Sequence, residues 1–177
     1  MHKLIKEYMY SHQYDWRQSS SDNMAVIIET RSNRPVPYLE WVIRNINHHT
    51  GFNIRHYGNQ FTTLPIENKK VTINTFDDYN KLLTSKEFLD ELPENVLIFQ
   101  SDSFMLKDWD PKFEKYDYIG SPWKWAYDYN NCKPFQVGGN GGISFRKTST
   151  MKKIIERFPT ERYQTIRRNP KGNEDMY

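Results

Sequence analysis

The sequence contains one cysteine, Cys132, so no disulfide can form within the chain. It also contains no Asn-x-Ser/Thr sequon, and residues 1–7 lack the apolar core of a secretory signal peptide. Both features are typical of a protein from a reducing compartment. The sequence therefore predicts a cytoplasmic location.

Long apolar runs and a concentrated basic face are also missing. No apolar stretch approaches the length that crosses a bilayer, so we expect no transmembrane segment. The net charge of +3 comes from 25 basic and 22 acidic residues, whereas a nucleic-acid-binding domain usually has a clustered basic surface. We interpret the densest basic stretch, residues 162–171, as a solvated segment and expect no nucleic-acid partner. Nothing in the sequence indicates an oligomeric state.

Several catalytic motifs are absent. The chain has no Gly-x-x-x-x-Gly-Lys-Ser/Thr phosphate loop and no Gly-x-Gly-x-x-Gly after its first strand. It has no Gly-x-Ser-x-Gly nucleophile elbow. His48 and His49 are adjacent and have no Cys or His partner at zinc-ligand spacing. The sequence therefore gives no support to a zinc site or to a metal-free hydrolase.

What the chain does have is aromatic side chains. Aromatic residues make up 15% of the sequence although hydrophobic content is only 37%, so Tyr, Phe and Trp must supply much of the core. A chain of 177 residues is expected to form a single domain. Polar and aromatic residues 1–23 predict a peripheral arm with a short helix over 4–10, and residues 24–177 the domain itself.

Apolar runs that end in polar residues predict the strands. Residues 96–99 form a continuous apolar run after Pro93, as expected of a strand buried on both faces of a parallel sheet. Residues 24–28 predict the first central strand, followed by a helix from Pro37 to Gly51 and a second strand over 53–57. Further predictions are a strand at 71–74, helices near 77–83 and 85–92 (the second with a Thr84/Glu87 capping box), a strand at 143–146, and a helix capped by Thr148 or Ser149. The pattern indicates an α/β fold, a mostly parallel sheet flanked by helices.

Polar residues follow two of these strands directly. In open α/β sheets ligands collect outside the carboxyl ends of the strands, where the sequence places Thr30 and Arg31, and Ser101, Asp102 and Ser103. Asp102 could hold a metal ion or a polar ligand there. An aspartate that bonds nearby backbone amides in a turn would look the same.

Three other features could carry chemistry. Residues 138–142 hold half of the eight glycines and predict a loop that a ligand can approach closely: Gly139, Asn140, Gly141 and Gly142 follow Gly138. Trp123 could stack on a sugar or simply pack. Glu174 and Asp175 could act as a general base or form a solvated pair. With Asp102, these parts suit sugar transfer from a nucleotide diphosphate, whose charge a hard cation would neutralise.

Five segments resemble a poorly characterised family of glycosyltransferase-like proteins and occur in the same order. They are residues 24–51, 99–103, 116–123, 139–146 and 173–175. The resemblance implies a GT-A-type, Rossmann-like fold and a glycosyltransferase activity. It also implies a nucleotide-diphospho-sugar donor, a glycan or other hydroxyl acceptor, and a Mn²⁺ or Mg²⁺ ion.

The resemblance also implies roles for particular residues. Gln100 occupies the place of the first acid of the GT-A Asp-x-Asp motif, so only Asp102 carries over as a metal ligand. Nucleotide binding falls to Thr30, Arg31, Ser101, Asp102 and Ser103, and Trp123 with Gly139, Asn140, Gly141 and Gly142 frames the sugar and acceptor. Glu174 or Asp175 would be the base.

The sequence stops two residues after Asp175, where GT-A domains usually continue with further helices. The implied domain is therefore either a fragment or a minimal version of the fold. Because of this ending and of Gln100, the alternative function is a non-catalytic carbohydrate- or nucleotide-binding module that retains the fold.

Overall fold

The computed structural model describes residues 3–19, 21–31, 35–122 and 139–158. Its helices are α1 (Lys3–Ser11), α2 (Val36–Thr50), α3 (Phe76–Leu83), α4 (Lys86–Asp90) and α5 (Thr148–Arg157), with a 3₁₀ turn over Pro111–Lys115. Its strands are β1 (Met24–Glu29), β2 (Asn53–Gly58), β3 (Glu67–Lys70), β4 (Asn95–Phe99), β5 (Tyr118–Pro122) and β6 (Gly139–Lys147).

The six strands form one mixed sheet in the order β3-β2-β1-β4-β6-β5. The pairs β2–β3, β1–β2 and β1–β4 are parallel. The pairs β4–β6 and β5–β6 are antiparallel. The α/β fold is therefore confirmed, and a single sheet is consistent with a single domain.

The two central strands β1 and β4 are buried on both faces, as their continuous apolar runs predicted. Alternate residues point to opposite faces of a strand, and the two hydrophobic clusters reflect this. One cluster lies under α2 and contains Ala25, Ile27, Leu97 and Phe99. The other lies under α4 and α5 and contains Val26, Ile28, Val96 and Ile98.

Helix α2 ends as predicted at Gly51, whose φ of 66° is the left-handed conformation that glycine adopts at little cost. Two fully buried asparagines on this helix bind backbone elsewhere. Asn45 accepts from the Met105 amide at 2.7 Å and donates to its carbonyl at 2.9 Å. Asn47 makes the same pair of bonds with Arg17, at 2.7 and 3.0 Å. Helix α2 thus fixes both the N-terminal arm and the segment after β4.

The N-terminal arm packs against the α2 face of the core. The predicted helix is present as α1, one residue longer at each end. Tyr8, Met9, Tyr14 and Trp16 are partly buried against the core cluster under α2. The Trp41 indole of α2 donates to the His12 carbonyl at 2.8 Å. No helix among the described residues has both the length and the apolar character needed to cross a bilayer.

The strand predicted at 71–74 is wrong, because the third strand is β3, Glu67–Lys70. It lies at one edge of the described sheet and pairs with β2 alone. An edge strand needs no apolar run, and β3 is held in part by a polar contact: Arg55 Nε donates to Glu67 Oε2 at 2.6 Å. The hydrophobic pattern therefore predicted the strand at 71–74, next to its actual position.

The predicted caps of two helices are also corrected. Ser85, not Thr84, caps α4 by accepting from the Phe88 amide. The Thr84 hydroxyl instead donates to the Asn80 carbonyl at 2.8 Å in the last turn of α3. The capping box lies one helix earlier, between Thr75 and Asp78. Lys147, rather than Thr148 or Ser149, is the N-cap of α5.

Candidate functional site

The sheet reverses its order between β1 and β4. From β1 the chain crosses through α2 to β2 on one side, whereas β4 lies on the other side of β1. In open α/β sheets the crevice outside the carboxyl ends of two such strands is the preferred place for a ligand. The residues that follow β1 and β4 therefore form the candidate site.

A buried carboxylate organises this crevice. The Glu29 side chain, at the end of β1, is only 3% exposed. Arg31 holds it with a two-pronged ion pair, Nε to Oε1 at 2.8 Å and Nη2 to Oε2 at 2.6 Å. The Arg31 amide also donates to Oε1 at 2.9 Å. From the end of β4, the Ser101 hydroxyl donates to Oε2. Neighbouring strand ends are thus joined through one carboxylate.

The Glu29 carboxyl is held in its ionised form. Burial raises its pKa, but hydrogen bonds from Arg31 and Ser101 outweigh this and leave the pKa below its ordinary value of 4.5. In the unfolded chain the carboxylate loses these donors and its pKa returns to that value. Ionised Glu29 therefore stabilises the fold above the unfolded-state pKa, and this contribution is lost as the pH falls through the lower folded-state pKa.

We expect the free energy of unfolding to fall more steeply with acidification in the wild type than in Glu29→Gln. Urea unfolding at a series of pH values from about pH 5 downwards measures the difference, since the contribution of Glu29 is lost as the pH falls below its ordinary pKa of 4.5. The other carboxylates titrate in both proteins and so provide the common baseline. Equal slopes in the two proteins would show that Glu29 is not held ionised.

Arg31 has spare hydrogen-bonding capacity. Its side chain is 50% exposed, and Nε and Nη2 make its bonds to Glu29 and Ser101. Nη1 makes no hydrogen bond to any described residue. The charge of Asp102 acts favourably on the guanidinium. Arg31 therefore presents an oriented cationic edge to the crevice.

The strand-end residues predicted from the sequence do come together, although in different ways. Asp102 is exposed beyond the end of β4. The Ser103 hydroxyl donates to the Gly142 carbonyl at 2.6 Å, and the backbone N–H of Gln100 donates to the same oxygen at 2.9 Å. Thr30 is half-buried and lines the cavity described below. The end of the glycine-rich segment is thus joined to the site.

The glycine-rich segment itself is not a loop where the structure describes it. Gly139, Asn140, Gly141 and Gly142 form the first part of β6. The ladder with β5 shifts register between Gly120 and Ser121. The end of this stretch, Gly142, contacts the site through Gln100 and Ser103, and we call Gly139–Gly142 the rim.

A cavity of about 390 Å³ opens at the carboxyl end of β1. Its walls come from both central strands and from the start of α3: Ile28, Glu29, Thr30, Arg31, Ile73, Asn74, Thr75, Tyr79 and Gln100. Gln100, in the place expected for a first metal-binding acid, lies 3.5 Å from the Tyr79 hydroxyl through its amide nitrogen. Apart from Glu29 and Arg31, the lining is uncharged.

A family model described as "Protein of unknown function (DUF5672)" matches residues 60–177, more than half of the chain. The chain belongs to the DUF5672 family. No curated protein matches it. The matched range contains Gln100 and the glycine-rich segment, whereas Glu29 and Arg31 precede it.

Three predicted site residues of this DUF5672 chain, Trp123, Glu174 and Asp175, lie outside the described residues. Sequence reasoning missed two others. Glu29 could have been found, because it is a charged residue that ends the apolar run of β1 directly before Thr30. Tyr79 could not, because nothing local indicates that the start of α3 borders the β1 strand end.

The described part of the DUF5672 site fits a Mn²⁺ or Mg²⁺ ion poorly. Both oxygens of Glu29 are already bonded to Arg31 and Ser101. Asp102 is the remaining strand-end carboxylate there, and the Arg31 guanidinium, on which its charge acts, would repel a cation. No group of three or more His, Cys, Asp or Glu side chains suited to a metal occurs among the described residues. With one free carboxylate at the site, water and the phosphate oxygens of a substrate would have to supply the other ligands of a hard cation.

Proposed function

We propose that this DUF5672 protein transfers a sugar from a nucleotide-diphospho-sugar to a hydroxyl acceptor, with a GT-A-type fold. The observation that carries the proposal is the oriented guanidinium of Arg31 in the wall of a cavity that is otherwise polar or apolar apart from its partner Glu29, at the crevice between β1 and β4. A nucleotide-sugar has both parts to match, a planar base with ribose and a charged diphosphate.

The cavity is suited to the nucleoside. Its volume is about 390 Å³, at the small end for ligand pockets. Asn74 and Gln100 offer amides that both donate and accept, and Tyr79 offers an aromatic ring. Ile28 and Ile73 add apolar surface. A nucleobase needs this combination of an apolar face and hydrogen bonds at its edge.

The sugar and acceptor would lie beyond the diphosphate, towards β6. The rim formed by Gly139–Gly142 is joined to the β4 end through Ser103. We assign contact with the sugar or acceptor to Trp123, and the base that deprotonates the acceptor hydroxyl to Glu174 or Asp175. These three roles are part of the proposal and come from the family resemblance.

A non-catalytic nucleotide- or carbohydrate-binding module is the second candidate. Gln100 stands where an acid was expected, and its amide is turned to Tyr79 in the cavity. A protein that retains the cavity but lacks the acid could bind a donor without using it. Turnover therefore separates the two candidates.

The test begins with thermal unfolding against a panel of nucleoside diphosphates and nucleotide-sugars. A ligand at one hundred times its Kd should stabilise the fold by about 2.7 kcal/mol. Sugar transfer or donor hydrolysis is then measured with the stabilising compound. Binding with turnover supports the transferase, and binding without turnover supports the binding module. No stabilisation by any compound would contradict the transferase and a nucleotide-binding module, and would leave a carbohydrate-binding module as the better interpretation.

Tyr79→Ala locates the binding, because it removes an aromatic wall of the cavity. We expect affinity for the stabilising nucleotide to fall about tenfold, as when a base loses an aromatic partner. Tyr116→Ala is the matched control, since Tyr116 is 49% exposed and does not line the cavity. Equal affinities of the two variants would show that the nucleotide binds elsewhere.

A further inference from the structure

We infer that Arg31 binds the diphosphate of the donor directly, and that this binding does not require a divalent cation. The inference rests on the proposed function, because it assigns a group of the same donor to a residue of the same crevice. The anion-binding atom is Nη1 of Arg31.

Arg31 is held in place before any ligand arrives. Nε and Nη2 are bonded to the two oxygens of Glu29, which is 3% exposed, and Nη2 also donates to Ser101 Oγ at 2.9 Å. A guanidinium has five N–H groups in a rigid plane. Three of them are engaged here, so the two on Nη1 have a fixed direction. Little side-chain entropy remains to be lost on binding.

The free edge of Arg31 is also accessible. Half of the side chain is exposed, and the residue lines the cavity that we assign to the nucleoside. A phosphate attached to a nucleoside in that cavity would lie near its mouth. The two remaining N–H groups, both on Nη1, can donate charge-assisted hydrogen bonds to phosphate oxygens.

The carboxylates of the crevice suit a cation less well. Glu29 has both oxygens bonded, and Asp102 is exposed and acts on Arg31 through its charge. If a metal ion bound at Asp102 carried the diphosphate, Asp102 would be required for binding. If Arg31 carries it, Asp102 only adds a repulsive negative charge. Removing Asp102 should therefore abolish binding in the first arrangement and not weaken it in the second.

The test is titration calorimetry of the full chain with inorganic pyrophosphate and with the nucleoside diphosphate that stabilises it most, in EDTA and again in Mn²⁺. We expect both anions to bind in EDTA. Arg31→Gln should weaken binding about tenfold to a hundredfold, the range for losing hydrogen bonds from a charged group. Asp102→Asn should leave affinity in EDTA unchanged or raise it.

Two further variants keep the test decisive. Lys153→Gln removes one positive charge from an exposed position on α5 and should leave affinity unchanged. Because Arg31→Gln leaves Glu29 buried without its cation, the double variant Glu29→Gln/Arg31→Gln removes the pair together and should also lose anion binding. Circular dichroism confirms that each protein is folded.

Three outcomes overturn the inference. Binding that needs Mn²⁺ and is lost in Asp102→Asn would place the diphosphate on a metal, yet leave the proposed function standing. Binding in EDTA that survives in the folded double variant would place the anion elsewhere. Failure of every diphosphate to bind in either condition would overturn the inference together with the proposed function.

Discussion

Arg31→Gln is expected to lower the free energy of unfolding by about 2–3 kcal/mol at neutral pH. The variant leaves the Glu29 carboxylate buried with Ser101 as its remaining side-chain donor. Removing one partner of a buried ion pair typically costs about 3–5 kcal/mol. We expect a smaller cost than this because Arg31 is half exposed, so water can reach one side of the site.

Urea unfolding of two further variants tests this explanation. Glu29→Gln should cost only about 1 kcal/mol, since the exposed Arg31 can be solvated when its partner is neutral. The double variant should be more stable than Arg31→Gln, because no buried charge remains unpaired. If Glu29→Gln proved as damaging as Arg31→Gln, the asymmetry in burial could not be the cause.

The sequence was sufficient to predict the central strands of the fold and the end of α2. The apolar runs of β1 and β4 are long because both faces of each strand are covered. Gly51 has the positive φ that a helix end of this type requires. In both cases the local residues carry a signal that is sufficient to predict the element.

The edge strand β3 could not be predicted in the same way. Its residues are polar, and it is held by pairing with β2 and by the ion pair between Arg55 and Glu67. Neither partner can be inferred from β3 alone, whereas the apolar residues at 71–74 offered a misleading local signal. Long-range polar contacts override hydrophobic pattern in this part of the sheet.

The candidate site was predictable in its location but not in its organisation. Polar residues after β1 and β4 identified the crevice, and Arg31 and Ser101 do meet there. The residue that joins them is Glu29, the last residue of β1, which is buried. A buried charge is costly unless it is paired and hydrogen-bonded. Arg31 and Ser101 supply the partners of Glu29, and these contacts organise the site.

The close approach of β1 and β2 at the site leaves no room for a side chain on Gly58. Gly58 is paired in register with Glu29. A Cβ at this position would overlap the backbone oxygen of Glu29 and the ring of His56, which is fully buried. The backbone oxygen cannot move without moving the end of β1. Glycine is required here for space.

Gly58→Ala is therefore expected to cost about 3 kcal/mol, at the upper end of the cost of overpacking. Gly51→Ala is the matched control: its Cβ would meet nothing within 4 Å, so only the positive φ opposes it, at about 1 kcal/mol. Urea unfolding compares the two. Hydrogen exchange of the Arg31 amide, which donates to Glu29, should accelerate only in Gly58→Ala. If Gly58→Ala were the milder change, or left that amide protected, packing at position 58 would not control the Glu29–Arg31 arrangement.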